Sequence, residues 1–385
     1  MTETEAWVLY AGAEGKKSKR AELRLEKFSF SAPEEDELLV EPLIGCWEGN
    51  MNHALDRHPI DICRQRGEPK VVIGNAGVVR VLQAGKAVKN FREGDIGLVF
   101  CNGVADCHGY AKRIWAYDAP GTTGLLSRRT KLTAAQLIKI PSETKFSLSQ
   151  WAAFSLRYIT AWANWKAAYS CWRAIAPETK KEIALWVFGW GGGVTLAELT
   201  LAKFDGCSAV MSAAGAQRCE LIASLGIRPL DRSQWPELSY DPERYLADPE
   251  YQRSYQDAEN QFLNALDSIT GGEKISILAD YIGLPVYRAS LKALARPGII
   301  TSAGWKEGMT LSTLRSLECM NWHVHVHTHY ARYCEGVAAV EFGERNEWMP
   351  PETGEVYSWE AVPQLARQYG RGELSTYFPL YEVNK

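Results

Sequence analysis

The sequence has little of what marks nucleic-acid-binding, membrane-spanning or secreted proteins. Its formal net charge is −3 over 385 residues, and it lacks the basic runs that favour nucleic acid or an anionic membrane surface. No apolar run reaches the roughly 18 residues of a transmembrane helix, and the first residues show no signal-peptide pattern. We therefore expect a cytoplasmic protein with neither nucleic-acid nor membrane partners.

Cysteine is present but is not clustered. The nine cysteines are scattered along the chain without a Cys-x-x-Cys pair. A disulfide framework would be denser, and a zinc site would show closely spaced ligands. We expect reduced thiols, most of them in the core.

One stretch carries the strongest functional signal. Residues 184–188 form an apolar run of strand length, and apolar residues recur at helical spacing from Val194 onward. Between them lie four glycines: Gly189, Gly191, Gly192 and Gly193. A strand, a glycine turn and a helix in this order predict the start of a dinucleotide-binding βαβ unit, whose backbone can approach a pyrophosphate. The alternative is a structural turn without a ligand.

The rest of the chain places this stretch inside an interrupted β domain. Short strands dominate up to residue 141, and helical periodicity begins at Ser147, a predicted N-cap. Strands and helices then alternate as far as Ala303, which predicts a parallel sheet with right-handed crossovers. The polar segment 232–256 is interpreted as a surface insertion.

Several short motifs resemble those of the medium-chain dehydrogenase/reductase superfamily. They are Arg92–Asp95, Thr160-Ala161, Ala223–Gly226, Asp280–Gly283 and Arg296–Gly298. The resemblance implies an α/β protein, with a GroES-like β-rich domain split around a Rossmann domain that has a doubly wound parallel sheet. It places residues 1–155 and 308–385 in the first domain and 156–307 in the second.

Within this superfamily the chain is most similar to the crotonyl-CoA carboxylase/reductase branch of enoyl-thioester reductases. Asn50-Met-Asn52 matches the Asn-x-Asn of that branch, and Thr328–Ala331 followed by Tyr333 resembles a segment near its substrate. The insertion at about 232–260 has a counterpart there. The resemblance implies a homodimer that acts on a small molecule or an acyl thioester of coenzyme A or a carrier protein.

The zinc ligands of related alcohol dehydrogenases are missing. Asn50 stands where a cysteine would hold catalytic zinc, and Gly74–Ala76 replaces Gly-His-Glu. Only Cys101 and Cys107 lie near the place of the four-cysteine structural site. Both zinc sites are predicted to be absent.

The end of the second Rossmann strand favours NADP(H) over NAD. The segment Ser212–Arg218 contains no acid that would bind a ribose 2′-hydroxyl, and Arg218 could make a forked contact to a 2′-phosphate. The alternative for Arg218 is an exposed helix arginine. By resemblance, Asp280 ends the strand beneath the nicotinamide, and Ser302 and Gly304 end the next. An aspartate in such a position is more often a local hydrogen-bond partner than a catalyst.

Two residues depart from the dinucleotide-binding pattern. Trp190 lies inside the glycine turn, where it must point away or obstruct the pyrophosphate, and Thr195 replaces the third small residue. They motivate an alternative function: a repurposed lyase, isomerase, cyclase or binding protein that no longer transfers hydride.

The candidate catalytic residues are Asn52 and His329, and the candidate substrate contacts are Asn50 and His53. The alternative for His53 is a loop histidine without a substrate contact. In the main hypothesis NADPH reduces an activated double bond, and Asn52 and His329 hold the enolate by hydrogen bonds. Reductive carboxylation is not predicted. The alternating histidines His323, His325, His327 and His329 are expected on one face of a strand. A structural or interface role, a substrate contact of His329 and a metal site are all open.

Overall fold

The structure, a computed structural model, describes residues 1–13, 20–102, 105–181, 185–304, 306–307, 310–311, 323–352 and 354–385. Contacts between Cα atoms divide the chain into two compact units. The first unit contains Met1–Ile159 and Ala331–Lys385, and the second contains Thr160–Tyr330. A β-rich unit is therefore split in sequence by an inserted one.

The first unit is built mainly from short strands. Its strands are β1 (Thr2–Tyr10), β2 (Arg24–Phe30), β3 (Glu37–Cys46), β4 (Lys70–Val71), β5 (Gly77–Ala84), β6 (Ile96–Val99), β7 (Thr130–Thr133), β8 (Leu137–Lys139), β15 (Val356–Tyr357) and β16 (Leu380–Glu382). Its helices are α1 (Gly49–Asp56), α2 (Ile62–Arg66), α3 (Leu148–Phe154), α11 (Tyr333–Asn346) and α12 (Val362–Arg371), and α4 (Arg157–Ile175) begins in it.

These strands form two sheets. One has the order β2-β1-β4, and the other has the order β15-β16-β3-β5-β6-β8, with β7 also paired to β3. All pairs except β15–β16 are antiparallel. Strand β3 leads directly to α1, so the sheet fixes the start of the helix that carries Asn50 and Asn52.

The second unit alternates strands and helices. Its strands are β9 (Trp186–Trp190), β10 (Ser208–Ala213), β11 (Arg228–Asp231), β12 (Ile275–Asp280), β13 (Leu294–Ser302) and β14 (Val324–Thr328). Its helices after α4 are α5 (Glu178–Lys181), α6 (Gly193–Phe204), α7 (Ala216–Ser224), α8 (Pro242–Ala247), α9 (Pro249–Thr270) and α10 (Leu284–Ala293).

The sheet of this unit is fully parallel, with the order β11-β10-β9-β12-β13-β14. Counted from β9 the order is 3-2-1-4-5-6, the doubly wound Rossmann arrangement. Strand β9 lies at the point where the strand order reverses, because it pairs with β10 on one side and β12 on the other. In such sheets ligands bind at the carboxyl end of this strand, where the glycine turn begins.

Strand β14 belongs to the Rossmann sheet. It pairs in parallel with β13, from Gly298 opposite Val324 to Ser302 opposite Thr328. The sequence-based division at residue 308 assigns this strand to the β-rich domain, whereas the contacts place the boundary after Tyr330. Composition alone does not reveal with which sheet an alternating strand pairs.

The segment interpreted as a surface insertion is partly core. It forms α8 and the first turns of α9, and Tyr245, Tyr251 and Tyr255 are buried in the same cluster as Phe188 and Phe262. Proline at the first position of both helices and capping carboxylates of Asp241 and Asp248 explain helices in so polar a stretch. The tyrosines of this segment pack into the core, and its polar residues lie on the solvent side.

Candidate cofactor and substrate sites

The glycine turn leaves the start of α6 open to a ligand. Strand β9 ends at Trp190, Gly191 has a φ of +145°, and Gly192 is the N-cap of α6 without a capping side chain. The first amides of a helix have no partner within the helix and attract anions. The backbone therefore fits a dinucleotide pyrophosphate.

The indole of Trp190 points away from this turn. Trp190 is 2% exposed, and its ring centroid lies 4.9 Å from that of Phe188 and 5.1 Å from that of Phe262. Its Nε1 donates a hydrogen bond of 2.9 Å to the Ser290 hydroxyl on α10. Because alternate residues of a strand share a face, Trp190 follows Phe188 into the core and leaves the turn clear.

Thr195 fills the space beneath the turn. Its hydroxyl donates to the Trp190 carbonyl at 3.0 Å, and its side chain is fully buried. A Cβ on Gly189 would lie 2.3 Å from Thr195 Cγ2, and a Cβ on Gly191 would lie 2.3 Å from Thr195 Oγ1. The close packing of helix on strand is therefore achieved by a threonine between two glycines, and Thr195 leaves the outer face of the turn unobstructed.

The candidate ribose contacts follow β10. Ser212 is buried near the end of this strand, and its hydroxyl has no hydrogen-bond partner. Arg218 lies in the first turn of α7, which begins after Gly215 at a φ of +90°. Sequence reasoning missed Asp231 on the neighbouring strand β11. Hydrogen bonds from Ser233 and from the Gly215 amide lower the pKa of the Asp231 carboxyl, so a negative charge lies beside the loop that precedes Arg218.

Of the candidate nicotinamide contacts, Asp280 is hydrogen-bonded to the backbone, and the space beside Gly304 is open. The Asp280 carboxylate accepts hydrogen bonds from the amides of Ile282 at 2.8 Å and Gly283 at 3.0 Å. Burial raises its pKa to about 6, and these two bonds act in the opposite direction. Asp280 thus holds the loop before α10. At the end of β13, Ser302 donates to the Gly304 carbonyl, and a Cβ on Gly304 would have no neighbour within 4 Å.

In the first unit, helix α1 carries the predicted substrate and catalytic asparagines. The amide of Asn52 is engaged: its oxygen accepts from Arg20 at 2.7 Å, and its nitrogen donates to Asp56 at 2.8 Å. Asn50 differs, because its amide oxygen is buried without a partner. His53 is half-buried, and this burial lowers its pKa. The unused atom of Asn50 is therefore a hydrogen-bond acceptor, whereas both amide atoms of Asn52 are bonded.

A buried ion pair, missed by sequence reasoning, fixes the start of α1. Arg157 donates to the Glu48 carboxylate at 3.0 Å and to the Trp47 carbonyl at 2.8 Å, and both charged residues are about 5% exposed. Burial raises the pKa of Glu48, against the lowering effect of Arg157. A lone arginine in the apolar stretch 151–163 is the sequence signal that could have indicated such a pair.

The first unit contains further buried polar atoms without hydrogen-bond partners. Buried side-chain atoms without a hydrogen-bond partner are Trp47 Nε1, both amide atoms of Asn75, Ser155 Oγ and Tyr381 Oη. Buried polar atoms are usually bonded to protein or water, so these need an explanation. Within the described residues, no three His, Cys, Asp or Glu side chains are grouped to hold a metal ion; the absence of zinc stays a prediction.

The histidines do not form one continuous stripe. Strand β14 contains His325 and His327, while His323 precedes it with a φ of 48° and lies 2.9 Å from Arg296. The expectation of four histidines on one strand face is therefore wrong for the two flanking residues. Burial lowers the pKa of His327, and neighbouring His325 lowers it further. Trp322, which precedes them, lies outside the described residues.

His329 is positioned by a residue that the sequence did not suggest. The buried amide of Asn164 on α4 donates to the His329 carbonyl at 2.8 Å and to the Thr160 carbonyl at 3.0 Å. Its oxygen accepts from the Thr301 hydroxyl on β13. Asn164 thus fixes the backbone after β14, next to the predicted catalytic histidine.

Solved structures with this architecture cover nearly the whole chain. Crotonyl-CoA carboxylase/reductase AntE in complex with NADP has a TM-score of 0.78 at 16% identity, over 99% of this chain and 94% of that one. The 2-octenoyl-CoA carboxylase reductase CinF, in complex with NADP and 2-octenoyl-CoA, has 0.77 at 18% identity, over 99% and 87%. A putative alcohol dehydrogenase from Sinorhizobium meliloti has 0.71 at 16%, over 99% of both chains.

The chain has the medium-chain dehydrogenase/reductase fold. The fold class predicted from the sequence is confirmed, and so is the resemblance to the crotonyl-CoA carboxylase/reductase branch at the level of the fold. No protein-family model and no curated protein sequence matches the chain. No described helix is long and apolar enough to cross a membrane.

Proposed function

We propose that this medium-chain dehydrogenase/reductase fold binds NADPH and reduces an activated carbon–carbon double bond, in an α,β-unsaturated acyl thioester of coenzyme A or a carrier protein. The observation that carries the proposal is the clear glycine turn at the reversal point of a Rossmann sheet. Trp190 and Thr195, which motivated a function without hydride transfer, both pack on the inner side of that turn. Their packing supports retained cofactor binding.

The proposed cofactor contacts follow the sheet from its reversal point outward. The backbone from Gly189 through Val194 would receive the pyrophosphate, and Ser212 and Arg218 would bind the adenosine ribose and its 2′-phosphate. The end of β12 beside Asp280, together with Ser302 and Gly304, would flank the nicotinamide. The NADP named in the AntE and CinF structures supports this choice.

When bound, NADPH supplies a hydride, which the β carbon of the substrate accepts. The chain's own contribution is to stabilise the negative charge that develops on the thioester oxygen and to deliver a proton to the α carbon. A preorganised amide donor provides such stabilisation. We favour the amide nitrogen of Asn50 over that of Asn52 as this donor, because the Asn52 nitrogen already donates to Asp56. His329 remains our candidate for the second donor, and His53 for a substrate contact.

Two measurements test the proposal. Titration of the purified protein with NADPH, followed by nicotinamide or tryptophan fluorescence, should give saturable binding below about 1 mM. NADPH oxidation in the presence of crotonyl-CoA or 2-octenoyl-CoA should then reveal reduction. Absence of saturable binding would favour the repurposed lyase, isomerase, cyclase or binding protein, whereas binding without turnover would reject these substrates only.

We also propose a homodimer that pairs through β14. Among the strands that the structure describes, β14 lies at the edge of the parallel sheet, and its Val326 is 56% exposed. An open strand edge is a template for pairing with another chain. Analytical ultracentrifugation at micromolar concentration should detect the dimer; a monomer there would count against it.

A further inference from the structure

A buried acidic residue lies directly behind the cofactor turn, and neither the glycine motif nor the proposed chemistry uses it. Glu198 is fully buried in α6, and one of its carboxyl oxygens has no hydrogen-bond partner. The other oxygen accepts a bond of 2.8 Å from the Tyr281 hydroxyl. A buried carboxyl with a single neutral partner is costly to ionise.

Tyr281 connects this carboxyl to the turn itself. Its amide donates to the Trp190 carbonyl at 3.1 Å, the same oxygen that accepts from the Thr195 hydroxyl. A Cβ added to Gly191 would lie 3.2 Å from Tyr281 Cβ. The backbone of Tyr281 therefore forms one wall of the turn, while its ring is anchored on α6 by Glu198.

We propose that Glu198 and Tyr281 are positioning residues of the cofactor turn and that loss of the Glu198 proton weakens NADPH binding. The inference rests on the proposed function, because it requires an anionic dinucleotide at the start of α6. Glu198 follows Gly193 by five residues, about 7–8 Å along the helix axis. A negative charge there would repel a pyrophosphate across a low-dielectric interior.

The neighbouring elements offer little to neutralise that charge. Strands β9 and β10, which pack on α6, contain no ionisable side chain. The nearest ionisable group is Tyr281, and Asp280 on β12 raises the pKa of Tyr281. On α6, Lys203 donates to the Leu225 carbonyl. After α6, Asp205 accepts a hydrogen bond from Trp165. Burial raises the pKa of Glu198 to about 8, against the lowering effect of Tyr281.

The sign of the effect follows from these contacts. With a pKa of about 8, Glu198 is mostly protonated at pH 7 and loses its proton as the pH rises, so NADPH affinity should be highest at the low end of the range and should decrease as the pH rises through 8. Asp280, with a pKa of about 6, is already ionised in this range. A measurement between pH 7 and 9.5 therefore reports the ionisation of Glu198 and not that of Asp280.

The test is equilibrium binding of NADPH, followed by fluorescence at constant ionic strength from pH 7 to 9.5. The wild-type Kd should rise on the order of tenfold across the range, while Glu198→Gln, which cannot ionise, should change by less than about twofold. The exposed Glu237 provides the matched control, and Glu237→Gln should follow the wild type. Circular dichroism at each pH would verify that the proteins remain folded.

Tyr281→Phe supplies an independent readout. Since the Tyr281 hydroxyl lowers the Glu198 pKa, its removal should move the fall in affinity to higher pH. The same pH dependence in the wild type and in Glu198→Gln would overturn the inference, as would an unmoved midpoint in Tyr281→Phe. Absence of saturable NADPH binding by the wild type at pH 7 would instead overturn the proposed function itself.

Discussion

The proposed cofactor turn and the proposed substrate helix are built on different principles. The turn between β9 and α6 is shaped by backbone, and its unusual residues Trp190 and Thr195 have their polar atoms bonded on the inner side. Helix α1 is shaped by side chains: its N-cap residue Glu48 belongs to the buried ion pair with Arg157.

This difference predicts how each site fails. A backbone site tolerates changes in polarity but fails when a Cβ enters the packed space. A site held by a buried ion pair fails when one charge is left alone.

The largest effect should come from the ion pair. Arg157→Met would leave the Glu48 carboxylate buried without its cation and should lower the free energy of unfolding by about 3–5 kcal/mol. Urea denaturation would measure the loss. The double variant Arg157→Met with Glu48→Gln should recover part of it, because no buried charge then remains.

The exposed pair of Lys145 and Glu347 is the matched control. Lys145→Met should change the free energy of unfolding by less than about 1 kcal/mol, as expected for a surface ion pair. Equal losses from Arg157→Met and Lys145→Met would show that burial is not what makes the first pair matter.

The packing beneath the turn should give the next effect. Gly189→Ala would place a Cβ 2.3 Å from Thr195 Cγ2, and such overpacking typically costs about 1–3 kcal/mol. Combining it with Thr195→Ala should restore part of the stability, so a double-mutant cycle should give a favourable coupling energy. Gly304→Ala, where the new Cβ meets nothing within 4 Å, should leave the melting temperature unchanged. Additive effects of Gly189→Ala and Thr195→Ala would contradict the packing described above.

The difference between a site formed by backbone and a site formed by side chains also explains which features could be predicted from the sequence. Gly189, Gly191 and the helical spacing after Val194 predicted the turn, because a site formed by the backbone requires glycine at particular positions. The direction of Trp190 could not be read, since it depends on Phe262 and Ser290, which are distant in sequence. For the same reason the sequence missed Arg157 beside Glu48 and Asp231 beside Gly215.

The asparagines of α1 allow a finer test of the side-chain site. Asn50→Ala should lower kcat by about 10- to 100-fold if its amide nitrogen donates a hydrogen bond to the developing oxyanion. Asn52→Ala should mainly cost stability, about 1 kcal/mol, because its amide bonds Arg20 and Asp56. Steady-state kinetics with an enoyl-CoA substrate, alongside thermal unfolding, would separate the two outcomes. A larger fall in kcat for Asn52→Ala would reinstate Asn52 as the catalytic amide.

The smallest expected effect concerns the choice between NADPH and NADH. In the proposed cofactor site this choice depends on a side chain, Arg218, and not on the backbone. Arg218→Ala should weaken NADPH binding about tenfold and leave NADH binding nearly unchanged, because only NADPH carries the 2′-phosphate. Asp231→Asn should shift the preference in the opposite direction, since it removes a negative charge beside Gly215. The exposed Arg253 on α9 is the control, and Arg253→Ala should alter neither affinity. If Arg218→Ala weakens both cofactors equally, Arg218 acts on a part that they share, and the 2′-phosphate must be recognised elsewhere on the loop after β10.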